Sequence, residues 1–359
     1  MALHRAFIDA AARPLRHNLA ALMRLFNAQS IRNDRVKALL PDVWASLFLL
    51  IPVVSTTFAS VYRMLGGLPA GSLGWLLVDE AGQAVPQAAV GALLRCRRAV
   101  VVGDPAQLEP VVVLPDKLVR AICSHFGVEA EQWAAPAASV QTLADTASAF
   151  RTELESISRS RAVGIPLLVH RRCSEPMFSM SDKIAYGGLM VYAKESRRRS
   201  AIARVLGPSQ WFHVEGSGPD KWCEQEGETA LALLRKLAEA RVDPDLYILT
   251  PFVIVADSLR HLVPDSGVLE GWIEADLWLW TNERIGTVHT AQGREAEAVI
   301  LLLGAPRPDQ TGARNWAGGR PNLLNVAVTR AREVIYVIGN RNLWRQAGCF
   351  EMLERYLRG

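Results

Sequence analysis

Apolar positions along this chain follow two rhythms. Near the N-terminus they recur with helical spacing: Phe7, Ala10, Ala11, Leu15, Leu19, Leu22 and Leu25 form one stripe. Residues 1–46 therefore read as helical. Beyond them, short apolar runs alternate with helical stretches. Leu47–Val54, Leu76–Val78 and Ala99–Val102 predict strands, and the alternation predicts a parallel sheet covered by helices over residues 47–165. Residues 136–165, rich in Ala, Ser and Thr, read as a helix and a connection.

A second α/β block follows over residues 166–345. Its predicted strands are Leu167–Val169, Tyr247–Leu249, Arg284–Val288, Ala298–Leu303 and Val334–Ile338. Gln225–Arg241, Val253–Leu262 and Leu323–Arg332 predict helices, and a last helix falls in 346–359. Gly216–Pro219 and Pro306–Pro321 predict loops on their Gly and Pro content.

Composition narrows the class without fixing the chemistry. The 359 residues are 50% hydrophobic and 21% charged, which suits two packed domains and excludes a disordered chain. The net charge of +4 fits a nucleic-acid partner but equally fits a merely basic surface. Five scattered cysteines form no C-x-x-C pair, against a zinc ribbon or a disulfide framework and in keeping with a cytoplasmic protein. The most apolar run, Leu47–Val54, is too short to span a membrane and is broken by Pro52. The Arg-rich, acid-poor N-terminus has the composition of a transit peptide, but its single stripe favours a packed helix.

Candidate chemistry lies at strand ends. Asp79 and Glu80 follow the run ending at Val78; Asp79 could hold Mg²⁺ and Glu80 could polarise an attacking water. A solvated helix start explains the pair as well. Gly103-Asp104-Pro105 makes a tight turn after the next strand and places Gln107 to reach a γ-phosphate; a plain capped turn is the alternative. Arg171 and Arg172 could clamp phosphate or simply be a basic surface. In Gly286–Glu295, Thr287, His289 and Thr290 are short donors suited to a sugar-phosphate backbone, and the Gln292-Gly293 turn permits close approach. A core histidine is the other reading of His289. Arg330 and Arg332 fall on a predicted helix, about 200° apart, so only one could face a given site. Arg330 would stabilise charge on a transferring phosphoryl group, or be a surface arginine.

Taken in order, these segments resemble the superfamily 1 helicases, in the branch that holds the nonsense-mediated-decay RNA helicase and the Okazaki-flap helicase–nuclease. Val78–Ala84 resembles motif II and Gly103–Pro110 motif III. His170-Arg171-Arg172-Cys173 stands where the family has Gln-Tyr-Arg-Met; Gly286–Glu295 resembles motif V and Asn325–Arg332 motif VI. Ser55-Thr56-Thr57 and Thr250-Pro251-Phe252 resemble the segments that touch single-stranded nucleic acid. The resemblance implies an α/β fold of two RecA-like P-loop NTPase domains with parallel sheets, using ATP and Mg²⁺ on single-stranded DNA or RNA. It implies Asp79 for Mg²⁺, Glu80 for water, and Gln107, Arg172 and Arg330 for phosphate charge. Gly103, Asp104, Gly293 and Glu295 would lie at the nucleotide. Thr56, Thr57, Thr250, Pro251, Thr287, His289 and Thr290 would lie along the strand.

One part is missing. None of the six lysines follows a glycine or precedes Ser or Thr, so no Gly-x-x-x-x-Gly-Lys-[Ser/Thr] phosphate loop occurs. The chain thus reads as the C-terminal portion of a helicase, with residues 1–46 the tail of an insertion and the first domain incomplete, short of a central strand. The alternatives are a non-catalytic nucleic-acid-binding remnant, or one half of a split helicase whose other portion acts in trans.

Overall fold

The computed structural model describes residues 2–27, 33–104, 106–155, 160–194, 200–291 and 293–357. Pro105 and Gln292, both named above at turns, lie outside them. The chain divides into two compact units. The first comprises Met1–Pro105 with Glu109–Ala144, and the second Ala106–Leu108 with Asp145–Gly359.

The first unit opens with helices α1 (Ala2–Ala10), α2 (Ala12–Asn27), α3 (Asp34–Leu50) and α4 (Phe58–Leu65). Strand β1 (Leu73–Val78), helix α5 (Pro86–Arg95) and strand β2 (Cys96–Val101) follow as a β-α-β unit, then α6 (Asp116–His125) and α7 (Ala130–Trp133). The expected strand at Leu47–Val54 is instead the end of α3 and a coil. Asn33 caps α3, accepting from Arg35 N–H at 2.9 Å, and Leu40, Val43 and Trp44 are buried on one face. Phe48 stacks on Trp44 at 5.6 Å, which continues that face through the apolar run. Local β-propensity lost to helical packing, and Pro52 then bars the helix from going further.

β1 and β2 pair in parallel, from Leu73↔Cys96 to Val78↔Val101, as a two-stranded sheet. Its faces are unevenly covered: Val78 is buried, while Trp75 and Leu77 are 60% and 66% exposed. Parallel sheets ordinarily have both faces covered, whereas this pair leaves Trp75 and Leu77 open.

Helix α8 (Val140–Ala147) leads to a hairpin of β3 (Thr152–Glu155) and β4 (Ser160–Val163), where a helix and a connection with few strand signals were expected. Further on come β5 (Val169–His170), α9 (Met177–Ala185), β6 (Val191–Tyr192), α10 (Ala201–Leu206), β7 (Gln210–His213) and α11 (Glu224–Glu239). They continue with β8 (Leu246–Thr250), α12 (Val253–Asp265), α13 (Leu277–Arg284), β9 (Ile285–Thr287) and β10 (Ala296–Leu302). The chain ends in α14 (Thr311–Gly318), α15 (Pro321–Thr329), β11 (Ala331–Gly339), α16 (Arg341–Trp344) and α17 (Glu351–Tyr356).

Five of these strands form one parallel sheet in the order β7-β11-β10-β8-β9. Ile248, Val299, Ile300, Ile335 and Val337 are fully buried, which explains why β8, β10 and β11 read as continuous apolar runs. The expected loop at Pro306–Pro321 instead contains α14. Its helix is held by Arg314, whose guanidinium donates to the carbonyls of Ala305, Arg307 and Pro308. The helix expected over Leu323–Arg332 stops at Thr329, leaving Arg330 as its C-cap and Arg332 inside β11.

Candidate functional site

In the first unit, the ends of β1 and β2 meet backbone to backbone. Beyond the paired strands, Val102 N–H donates to Val78 O at 2.8 Å and Ala81 N–H to Val102 O at 3.0 Å. A Cβ on Gly103 would lie 2.9 Å from Gly82 N and 3.0 Å from Ala81 N, so only glycine fits. Glu80 has φ 52°, a left-handed conformation uncommon for a glutamate and a form of strain typical of functional turns. Asp79 Oδ1 accepts from Glu80 N–H at 2.9 Å, and Glu80 Oε2 accepts from Gln83 Nε2 at 3.0 Å. Asp79 is exposed and Glu80 half-buried. Among the described residues no group of three or more His, Cys, Asp or Glu side chains is placed to hold a metal unaided. An exposed strand-end carboxylate such as Asp79 nonetheless fits Mg²⁺, which keeps waters and phosphate oxygens in its shell and needs only one or two carboxylates. Thr56 and Thr57 are both exposed before α4.

In the second unit, the amino edge of the five-stranded sheet carries a network of alternating charge. Asp245 precedes β8, Glu295 precedes β10 and Arg332 is the second residue of β11, while Arg172, just after β5 of the separate β5-β6 pair, reaches this edge from beside the sheet. Arg172 Nε lies 2.9 Å from Glu295 Oε2, Arg332 Nη1 3.8 Å from Glu295 Oε1, and Arg332 Nη2 2.6 Å from Asp245 Oδ2. Asp245 also accepts from Arg284 at 3.4 Å and from Glu297 N–H at 3.1 Å. Behind this row, Lys194 Nζ donates to Ser174 Oγ, Arg332 O and Glu333 Oε1 at 2.7–2.8 Å. Arg172, Lys194, Asp245, Glu295, Arg332 and Glu333 line an open cavity of about 730 Å³. Guanidinium groups around a carboxylate they can leave form a fitting receptor for phosphate.

Arg330 is not the surface arginine of the alternative reading. It is 2% exposed, and its Nη1 donates to Arg294 O at 2.9 Å. Beside it, Cys173 is fully buried; desolvation pushes its thiol up to about 12, so it is no nucleophile. His170 Nε2 accepts from Cys173 N–H at 2.9 Å, and desolvation, then Arg172 and Lys194, hold its imidazole below its ordinary value. Gln107 lies in the 106–108 segment, which belongs with the second unit: Leu108 is in that unit's core and Ala106 O accepts from Asn325 Nδ2 at 3.0 Å.

The residues expected along a strand divide. Thr250 and Pro251 are buried, and Thr250 Oγ1 accepts from Phe252 N–H, so both serve the strand end rather than an outer surface. The hydroxyl proton of Thr290 is committed to Thr287 O at 2.8 Å, which leaves that side chain an acceptor, not a phosphate donor. Thr290 also fixes the turn: a Cβ on Gly286 would sit 2.3 Å from its Oγ1. His289 is exposed, Thr287 half-buried, and Gly293 exposed with φ 78°. Sequence reasoning set Arg332 aside and missed Asp245, Lys194 and Glu333. The acids at Asp243 and Asp245 just ahead of an apolar strand were the available signal; Lys194 had none.

A buried parallel sheet with charged loops at one edge, and a second parallel strand pair ending in Asp-Glu, define a protein of the parallel α/β class. Two family models, each described as an AAA domain, match residues 29–114 and 152–342. The second covers more than half of the chain, and the chain belongs to that AAA-domain family. Over 299 residues it is 22% identical to an uncharacterized ATP-dependent helicase of Methanocaldococcus jannaschii, covering 76% of this chain and 37% of that one. Over 288 residues it is 21% identical to the DNA replication ATP-dependent helicase/nuclease JHS1 of Arabidopsis thaliana, covering 74% of this chain and 19% of that one. The chain thus spans well under half the length of these relatives. Among solved structures it matches an arterivirus nonstructural protein 10 (helicase) in complex with DNA, at 15% identity and a TM-score of 0.35, covering 76% of this chain and 41% of that one. The helicase resemblance read from the motifs is borne out by the family and the relatives.

Proposed function

We propose that this chain is the core portion of an ATP-dependent superfamily 1 helicase or translocase, with two RecA-like domains acting on single-stranded DNA or RNA. The observation that carries this reading is the pairing of Arg172, just after β5, with Glu295 at the amino edge of the five-stranded sheet, from motifs far apart in sequence. In this reading Asp79 holds Mg²⁺ and Glu80 orients the attacking water, with Gly103 and Asp104 shaping that turn. Gln107, Arg172 and Arg330 answer to the phosphates, and Gly293 and Glu295 flank the nucleotide. Bound ATP supplies the phosphoryl group whose transfer to water drives movement; the chain's residues position and neutralise it. Thr56, Thr57, Thr287 and His289 lie along the strand. Five free thiols fit a reducing, cytoplasmic setting.

A second reading shares this site but not the activity: a non-catalytic strand binder, or one half of a split helicase whose phosphate loop comes from another polypeptide. The two-stranded sheet, with Trp75 and Leu77 exposed, favours it. Strand-stimulated ATP hydrolysis separates the two. With no phosphate loop among its residues, the chain alone should bind labelled oligonucleotides at low salt yet turn over little ATP. Strand-stimulated turnover abolished by Glu80→Gln would show that this chain suffices, and absence of any strand binding would sink both readings.

A further inference from the structure

The carboxyl edge of the same sheet carries, beside the Thr250–Phe252 and Gly286–Glu295 segments, two residues that no motif includes, Trp316 and Arg320. β8 and β9 end side by side, with Thr250 opposite Thr287, and Val288 N–H donating to Thr250 O at 3.1 Å. Over that end stands an aromatic layer. Phe252, buried just after β8, lies 6.0 Å from the ring of Trp316 on α14. Trp316 is 41% exposed, although its helix neighbours Arg314 and Ala317 are buried. The exposed Arg320 guanidinium lies 4.8 Å from the Trp316 ring centroid, and Lys221 Nζ lies 5.5 Å from that of Phe252. Arg320 is also close enough to His289 to disfavour its protonation, second to desolvation. A partly exposed indole with a guanidinium over it therefore stands on Phe252, whose ring also carries the Lys221 ammonium.

We propose that Trp316 and Arg320 form a base-stacking platform for single-stranded nucleic acid, at the carboxyl edge of the second unit's sheet. The proposal rests on the reading that this chain handles single strands, and assigns the part of it that meets bases. Indole and guanidinium planes both stack on nucleobases, and the cations suit the adjoining phosphates. The platform explains why α14 presents a tryptophan to solvent where its helical fold requires none. It also supplies what the threonines do not, since Thr250 is buried and Thr290 has spent its proton. A phosphate-only surface would need the cations but not the indole, and this difference can be tested.

The test uses the full chain with fluorescein-labelled single strands of one length, one bearing thymines and one abasic throughout, read by anisotropy at low salt. The intact protein should prefer the base-bearing strand by about 5- to 100-fold, the range expected of one or two stacked bases. Trp316→Ala should erase most of that preference while leaving abasic binding in place, and Trp316→Phe should keep much of it. Arg320→Ala should weaken both strands. Unchanged thermal melting of the variants shows that the fold is intact. Equal affinity of the intact protein for both strands, or a preference that survives Trp316→Ala, overturns the platform while the strand-binding reading stands. No binding of either strand overturns that reading and the platform with it.

Discussion

Asp245 organises the charged amino edge of the second unit, and its removal gives a measurable cost. Its carboxylate accepts from Arg332 at 2.6 Å, from Arg284 at 3.4 Å and from Glu297 N–H at 3.1 Å. Asp245→Ala deletes all three. The side chains of Asp245 and Arg332 are 30% and 42% exposed, so each freed guanidinium rehydrates, and each ion pair counts at the low end, about 0.5 kcal/mol. The half-buried Glu297 N–H loses its partner at about 1 kcal/mol. Together these give about 1.5–2.5 kcal/mol, or a drop of about 3–10 °C in the melting temperature of a unit of this size. Differential scanning calorimetry reads the shift. A double-mutant cycle with Arg332→Ala should return a coupling of about 0.5–1 kcal/mol, because the two side chains touch. A melting temperature unchanged by Asp245→Ala, together with zero coupling, would refute the account of this edge as a cooperative network.

Two other substitutions address separate features. Gly103→Ala forces a methyl group against Gly82 N and Ala81 N, which belong to rigid backbone, and should cost the first unit about 1–3 kcal/mol in urea unfolding. Gly74→Ala, with open space around the added methyl, is the matched control and should cost nothing. Glu226 is fully buried, accepts from Gly304 N–H at 2.8 Å, and is pushed by desolvation from 4.5 up to about 8. A carboxyl raised on folding adds stability that is complete below its unfolded value and is lost as pH climbs towards the folded one. The melting temperature of the intact protein should therefore fall between about pH 5 and pH 8.5 relative to that of Glu226→Gln, which cannot ionise. Parallel melting curves across that range would contradict a buried neutral acid at this position.

What was legible in the sequence was whatever local chemistry fixes. β8, β10 and β11 announced themselves because strands buried on both faces must be apolar throughout. The Asp79-Glu80 and Gly103-Asp104 turns were visible because a strand end followed by Gly, Pro or acids has few other conformations. Features settled by distant partners were not legible. Leu47–Leu50 has strand composition, but Trp44, one turn earlier in the same helix, holds Phe48 in a stack. The 306–321 stretch has loop composition, yet three carbonyls gathered by the single buried guanidinium of Arg314 support a helix within it. The cationic cluster could be read only in part. Arg172 and Glu295 stood out by their place in motifs, whereas Asp245 and Lys194 acquire meaning only when the parallel sheet brings the starts of β8, β10 and β11 together.

That arrangement gives the two edges of one sheet different chemistry. At the amino edge, successive strand starts carry Asp245, Glu295 and Arg332, whose charges neutralise one another until an anion competes for the guanidinium groups. At the carboxyl edge, strand ends are closed by buried hydroxyl and aromatic groups, and the exposed layer is an indole with a guanidinium on it. A polyanion such as a triphosphate suits the first, because Arg172 and Arg332 can exchange Glu295 for phosphate without leaving a buried charge unpaired. The second edge has cations for phosphate as well, Arg320 and Lys221, but adds an indole on which a base can stack. Between the two edges run β8, buried along its whole length, and β10, buried at every residue but Glu297, so the anion-facing and base-facing groups are held on opposite ends of one buried layer.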